Sequence, residues 1–193
     1  MLFNLGDKPL ADFTQPLEMM TDCHRRIEYF LDLLRKVERQ CGGGALTDEG
    51  RRALHASLNY FADFAPRHTV DEEESLFPTL RRHTSPEARA VMAELERLEG
   101  DHRRCEELHA SVDQLVRQWL AAGLLDAAER ARLRLWLAEL ASLYAAHIEL
   151  EERRVFAVAR QLLTADEVRK IGDDMKQRRS LGAGRATVTS AAK

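Results

Sequence analysis

Two short segments that contain histidine and glutamate each occur twice in this chain, and this duplication restricts the possible folds more than any other feature of the sequence. Residues 24–28 read HRRIE, and residues 102–106, which lie 78 positions later, read HRRCE. Residues 68–73 read HTVDEE, and residues 147–152, which lie 79 positions later, read HIELEE. The sequence therefore holds two copies of one helical pair. Two such pairs make a four-helix bundle with an internal pseudo-twofold axis.

Apolar residues recur at steps of three and four positions along nearly the whole chain, and no segment alternates with period two. The predicted helices cover about residues 17–40, 47–82, 85–121, 126–163 and 164–179. The sequence CGGG at 41–44 ends the first helix, and Thr47 and Thr164 are N-cap residues of the second and the fifth. Pro66 and Pro78 lie within the second helix and predict kinks or a break.

These elements predict an all-α protein with one domain. We expect an N-terminal arm at 1–15, an up-down four-helix bundle at 16–163, a short C-terminal helix at 164–180 and a disordered tail at 181–193.

Composition narrows the class of protein further. The chain has 193 residues, of which 45% are hydrophobic and 32% are charged, and its net charge is −3, so neither nucleic acid nor a membrane is an expected partner. The start of the chain lacks the basic and apolar regions of a secretory signal. Cys23, Cys41 and Cys105 form no disulfide framework, which fits a reducing cytoplasm. We expect a cytoplasmic monomer or homodimer.

The duplicated histidines and glutamates fall on the apolar faces of the predicted helices. His68 and Glu72 are one turn apart in the middle of such a face, and His147 and Glu151 repeat this arrangement. A carboxylate buried alone costs several kcal/mol unless it is paired or bound to a metal. The predicted metal ligands are one histidine from each bundle helix and two glutamates: His24, His68, Glu72, His102, His147 and Glu151.

This ligand set indicates which metal is bound. Four imidazoles and two carboxylates are too many for one tetrahedral zinc ion, and thiolate ligands are missing. Two metal ions, each with two histidines and sharing two bridging glutamates, use every group and leave open positions. Mixed nitrogen and oxygen ligands favour two oxo- or hydroxo-bridged iron ions, with manganese or zinc substitution as the alternative.

The full pattern resembles the hemerythrin-like HHE cation-binding family of bacterial type, over about residues 16–160. It consists of His24, the segment HxxxEE at 68–73 followed by LFP at 76–78, His102, and a second HxxxEE at 147–152. The resemblance implies that the histidines are terminal ligands and that the first glutamate of each HxxxEE bridges the two metals.

The pattern departs from that of oxygen-carrying hemerythrins. Glu106 stands where those proteins have a second histidine in the third helix, and Glu151 replaces an aspartate late in the fourth. The resulting near-symmetric centre argues against oxygen carriage. Glu106 and its counterpart Glu28 are open to two interpretations, helix surface charge or a further ligand.

Several residues near the predicted ligands have other expected roles. His109 is expected in the core or behind the ligands, and Tyr144 either donates a hydrogen bond to the centre or packs in the core. The simplest interpretation of Glu73 and Glu152 is a solvated face, and that of the basic cluster at 176–179 is charge at a helix end.

The functional prediction is a non-haem di-iron protein that binds or reduces dioxygen, peroxide or nitric oxide, in sensing or stress defence. The alternative is an iron-binding, iron-storage or iron-sensing module that a partner protein reads, without turnover. A third interpretation makes the metal a structural staple of the bundle. The sequence contains no nucleotide-binding loop and no nucleophile with its base.

Overall fold

A computed structural model describes residues 11–41 and 43–188, and within these residues all regular structure is helical. The elements are α1 (Pro16–Cys41), α2 (Asp48–Asp63), α3 (Ala65–Asp71), the π-helical turn π1 (Glu72–Leu76), α4 (Phe77–Arg82), α5 (Pro86–Arg89), α6 (Met92–Ala122), α7 (Ala127–Leu150), the π-helical turn π2 (Glu151–Val155), α8 (Phe156–Leu162) and α9 (Ala165–Val188).

Four long rods form an up-down bundle, which confirms the predicted fold class. The rods are α1, then α2 to α4, then α6, then α7 to α8, and successive rods pack side by side, with α7 returning to α1. One apolar layer fills one end of the bundle and contains Leu34, Leu54 and Trp119. A second layer fills the other end and contains Phe77 and Phe156. The duplicated histidines and glutamates lie between the two layers.

Capping residues set the helix boundaries much as predicted. Thr47 accepts a hydrogen bond from the Gly50 amide, and Thr164 forms a reciprocal capping box with Glu167. Gly123 ends α6 with φ of 80°, a left-handed conformation that favours glycine.

The second rod is broken at Phe64, and neither of its prolines occupies that position. Proline at 66 has no amide hydrogen to continue the ladder, so α2 ends at Asp63 and α3 begins at Ala65, with Phe64 between them. The predicted third helix is divided into the four-residue helix α5 and the third rod, α6.

The last helix is longer than predicted. It continues past residue 180 to Val188, through the glycines of this stretch. Residues 189–193 of the predicted tail, and residues 1–10 of the predicted arm, lie outside the described part of the chain.

Helix α9 covers one end of the bundle together with residues 11–15. Ile171 and Met175 of α9 join the second apolar layer. A Cβ atom at Gly172 would lie 1.9 Å from the carbonyl oxygen of Phe13, so this close approach requires glycine. The guanidinium of Arg179 lies 5.6 Å from the centre of the Phe13 ring. In the described part of the chain, no helix is sufficiently long and apolar to cross a bilayer.

Candidate metal centre

The two π-helical turns place the glutamates of both HxxxEE segments at the middle of the bundle. π1 begins at Glu72 and π2 begins at Glu151, and both side chains are completely buried. A π-helical turn adds a residue to the helical repeat and is frequent at functional sites.

One group of possible ligands forms around the first histidine. His24 Nε2 lies 3.0 Å from Glu151 Oε2, and His68 Nε2 lies 2.9 Å from Glu72 Oε1. These four residues each present one ligand atom, and the atoms all lie within 4.8 Å of one another.

A second group lies beside the first and shares a carboxylate with it. His102 Nε2 lies 3.1 Å from Glu72 Oε2, and His102, His147 and Glu72 again present ligand atoms within 4.8 Å. His147 Nε2 lies 3.6 Å from Glu151 Oε2. The structure therefore brings all six predicted ligand residues together, and both glutamates lie between the two groups.

Several of these buried atoms are close to each other without being hydrogen-bonded. His68 Nε2, both oxygens of Glu72, His102 Nε2 and Glu151 Oε1 have no hydrogen-bond partner among the described residues. Buried polar groups without a partner are rare, because each one loses its hydrogen bonds to water and gains none in the protein. A cation between them would satisfy these atoms, so the residues present fit a bound metal.

The outward nitrogens of two histidines are held by the second glutamate of the opposite repeat. His24 Nδ1 lies 2.9 Å from Glu152 Oε1, and His102 Nδ1 lies 2.7 Å from Glu73 Oε1. The interpretation of Glu73 and Glu152 as a merely solvated face was therefore wrong. Such partners orient a metal-bound imidazole and raise its basicity.

Phenylalanines support the same two imidazoles in matching ways. The ring of Phe156 stacks on His24 with 5.7 Å between centroids, and Phe77 stacks on His102 with 6.3 Å. The pseudo-twofold relation therefore extends from the helices to the surroundings of these side chains.

The symmetry fails at the other two histidines. His147 Nδ1 lies 3.6 Å from Asp101 Oδ2, which is beyond hydrogen-bond length, whereas the repeat places Cys23 at the position equivalent to Asp101. His68 Nδ1 has no partner among the described residues. The two groups of possible ligands therefore differ in the charge that lies beside their histidines.

Burial and charge act against each other in this cluster. Burial alone would lower the pKa of His24, but hydrogen bonds to Glu151 and Glu152 outweigh it and raise the pKa to about 9. Burial would likewise lower the pKa of His102, but the neighbouring carboxylates, chiefly Glu72, outweigh burial and raise this pKa to about 9. Burial opposes ionisation of Glu72, yet the positive charges of the neighbouring His68 and His102 imidazoles hold its pKa well below the usual value. A cation would replace the protons on these imidazoles.

Other residues near the centre have different roles. Glu28 pairs with Arg25 at the surface, and the exposed Glu106 does not belong to either ligand group of the described residues. Tyr144 Oη lies 2.9 Å from His109 Nε2, so Tyr144 is bonded to a core histidine and not to a ligand. Burial raises the pKa of Cys105 to about 12, which keeps this thiol protonated.

A buried aspartate next to the centre was missed from the sequence. Asp71 precedes Glu72 and accepts hydrogen bonds from Arg178 and Arg179 of α9, at 2.9 and 2.6 Å. Arg178 also donates to Ser75 in π1. The basic cluster at 176–179 is therefore not simple helix-end charge, since two of its members bind a carboxylate in the bundle. The sequence did not indicate this contact, because Asp71 and the two arginines are more than a hundred residues apart.

Comparison with known proteins agrees with this geometry. The chain is 27% identical over 181 residues to an uncharacterized protein of Haemophilus influenzae, and the match covers 92% of this chain and 97% of that protein. The model of the hemerythrin HHE cation-binding domain matches residues 15–159. These residues contain all but the last turn of the bundle and both ligand groups, and the chain belongs to the hemerythrin HHE cation-binding domain family.

Proposed function

We propose that this protein holds two iron ions and that they bind and reduce a small oxidant, dioxygen, peroxide or nitric oxide. His24 and His68 would be terminal ligands of one ion, and His102 and His147 those of the other. Glu72 and Glu151 would bridge the pair. Reduced iron supplies electrons to such oxidants, and the bundle supplies the ligands that hold it.

The observation that carries this proposal is the sharing of Glu72 by the two ligand groups. A carboxylate whose two oxygens lie near different histidines, at 2.9 and 3.1 Å, suits two adjacent ions better than one. Nitrogen and oxygen donors without thiolate suit iron. The glutamates behind His24 and His102 favour the oxidised ions, because they increase the electron density on the imidazoles.

Metal analysis with absorption spectroscopy tests the proposal. Protein purified without chelator from iron-supplemented cells should contain two iron ions per chain. Its near-ultraviolet and visible bands should disappear on reduction and return when an oxidant is added. A protein that binds one metal ion per chain, or two redox-inert zinc ions from iron-rich medium, would contradict it.

One observation favours iron sensing as a second candidate function. Asp71 lies between the ligand Glu72 and the two arginines of α9, so loading of the centre could change how firmly α9 is held. Hydrogen exchange of the α9 amides, measured with and without metal, tests this candidate. Faster exchange in α9 than in α7 on metal removal would support it, and equal rates would count against it.

A further inference from the structure

A cavity of about 650 Å³ opens beside the histidines of the candidate metal centre. All four histidines line it, and most of its remaining lining comes from α2, α3 and α6. His24 and Leu34 both line it from α1 and are ten residues apart, so it extends about 15 Å along the bundle. A water molecule occupies about 30 Å³ in the liquid, and a diatomic gas or hydrogen peroxide is of similar size. The cavity is therefore much larger than those oxidants require.

The two halves of the bundle have side chains of different size at equivalent positions beside the cavity. Tyr144 in the second half corresponds to Ala65 in the first, so no aromatic ring fills the space beside α3. Ala62 and Ala110 line its exposed margin on α2 and α6, and neither has a side chain large enough to close it.

Its walls are suited to hydrocarbon. Six apolar side chains from four helices line the interior: Ile27, Leu34, Leu58, Phe61, Val112 and Ile148. A concave site of this volume with apolar walls is typical of small-molecule binding. Most of its charged lining residues besides the histidines belong to α6: Arg103, Glu106, Asp113 and Arg117.

His109 provides a polar group within this apolar lining. Its ring stacks on Phe61, with 4.2 Å between centroids, and its Nε2 is bonded to Tyr144. Its Nδ1 has no hydrogen-bond partner among residues 11–41 and 43–188. The equivalent residue in the first half is Leu31, so the bundle itself does not require a histidine here. A ligand with a hydroxyl or hydroperoxyl group can both donate and accept, and it suits either tautomer of this ring.

We infer that this cavity binds an apolar organic hydroperoxide, with its hydrocarbon part along α2 and α6 and its peroxide group toward the four histidines. The inference rests on the proposed function and names the class of oxidant. In the reaction the O–O bond of ROOH breaks, two electrons and two protons are taken up, and ROH and water leave. The two reduced iron ions of the proposed function would supply the electrons, and solvent would supply the protons.

The first experiment measures binding without reaction. Cumyl alcohol, the reduced analogue of cumene hydroperoxide, is titrated by calorimetry into the oxidised, iron-containing protein. We expect saturable binding of one molecule per chain. Ala110→Trp should weaken it about tenfold or more by closing the margin, and Ala62→Trp serves as the second such variant. Ala121→Trp, an exposed position of α6 outside the cavity, is the matched control and should bind normally.

The second experiment compares two oxidants by rapid mixing with the reduced protein. Cumene hydroperoxide should oxidise the wild-type centre faster than hydrogen peroxide does. Ala110→Trp should slow the organic substrate by a larger factor than hydrogen peroxide, and Ala121→Trp should slow neither. Absence of saturable alcohol binding, with an intact reaction of hydrogen peroxide, would overturn the inference alone. Failure of both peroxides to react, in a protein that binds the alcohol, would instead overturn the proposed reduction and with it the role of the hydroperoxide.

Discussion

Arg179 donates a hydrogen bond of 2.6 Å to Asp71, the residue that directly precedes the buried Glu72. Arg178 donates to the other oxygen of the same carboxylate at 2.9 Å. The last helix is thus joined by charge to the helical turn that positions a proposed bridging ligand.

Removing the charge of Asp71 should destabilise the protein. Asp71→Asn leaves two partly buried arginines without their anion, and breaking a buried ion pair in this way costs about 3 kcal/mol. Urea unfolding followed by circular dichroism measures the loss. Glu74→Gln is the matched control, because Glu74 is 67% exposed and lies 3.6 Å from Arg178, so its loss should change stability by less than about 0.5 kcal/mol. Equal effects of the two variants would show that Asp71 is not the anchor.

Loss of either central glutamate should abolish the paired metals. Glu72→Gln and Glu151→Gln keep the side-chain volume and remove the anionic donor, so we expect no more than one ion per chain by elemental analysis. His109→Leu should keep both ions. The ligand assignment is wrong if the glutamine variants retain two ions while the leucine variant loses them.

The glutamates behind the histidines should affect metal affinity without being ligands. Glu73→Gln and Glu152→Gln remove the carboxylates that hold His102 and His24, and such changes weaken affinity by about 10- to 100-fold. Competition against a coloured chelator measures the affinity. The control is Glu149→Gln, since Glu149 is exposed and pairs only with Arg153 among the described residues. If all three variants bind equally, the hydrogen bonds to Nδ1 have no influence on the centre.

His109 should make the fold sensitive to mild acid. Burial lowers its pKa from 6.5 to about 4, so between these values the unfolded chain binds a proton that the folded chain does not. Stability from this residue is complete above pH 6.5 and falls as the pH drops toward 4, by up to about 3 kcal/mol. Unfolding free energies at several pH values should therefore show a shallower acid slope for His109→Leu than for wild type. Parallel slopes would show that folding does not lower the pKa of His109.

The sequence was sufficient for the helices and for the positions of the six clustered residues. Period and capping are local signals, and Thr47 and Thr164 act as the caps that their neighbours predicted. The duplication added the long-range information, because it related helices that a single pattern could not pair. The bundle and the family are confirmed, whereas the role of each ligand stays a prediction.

What was missed depends on contacts between distant segments. Nothing near Asp71 in the sequence points to α9, which is more than a hundred residues away. Glu73 is of a residue type usual at the surface, and only the packing of α6 against the second rod brings it to His102. The break at Phe64 lies two residues before its cause, because a proline disturbs the turn that precedes it.

Histidines of each repeat contact glutamates of the other repeat, and this determines when the cluster can form during synthesis of the chain. His24 faces Glu151 and Glu152, which follow it by 127 and 128 residues, while His102 faces the turn that begins at Glu72. Neither repeat contains a complete set of donors. A nascent chain that has emerged only through α6 contains four of the six clustered residues but lacks His147 and the carboxylates opposite His24. Completion of the cluster therefore awaits synthesis of nearly the whole bundle.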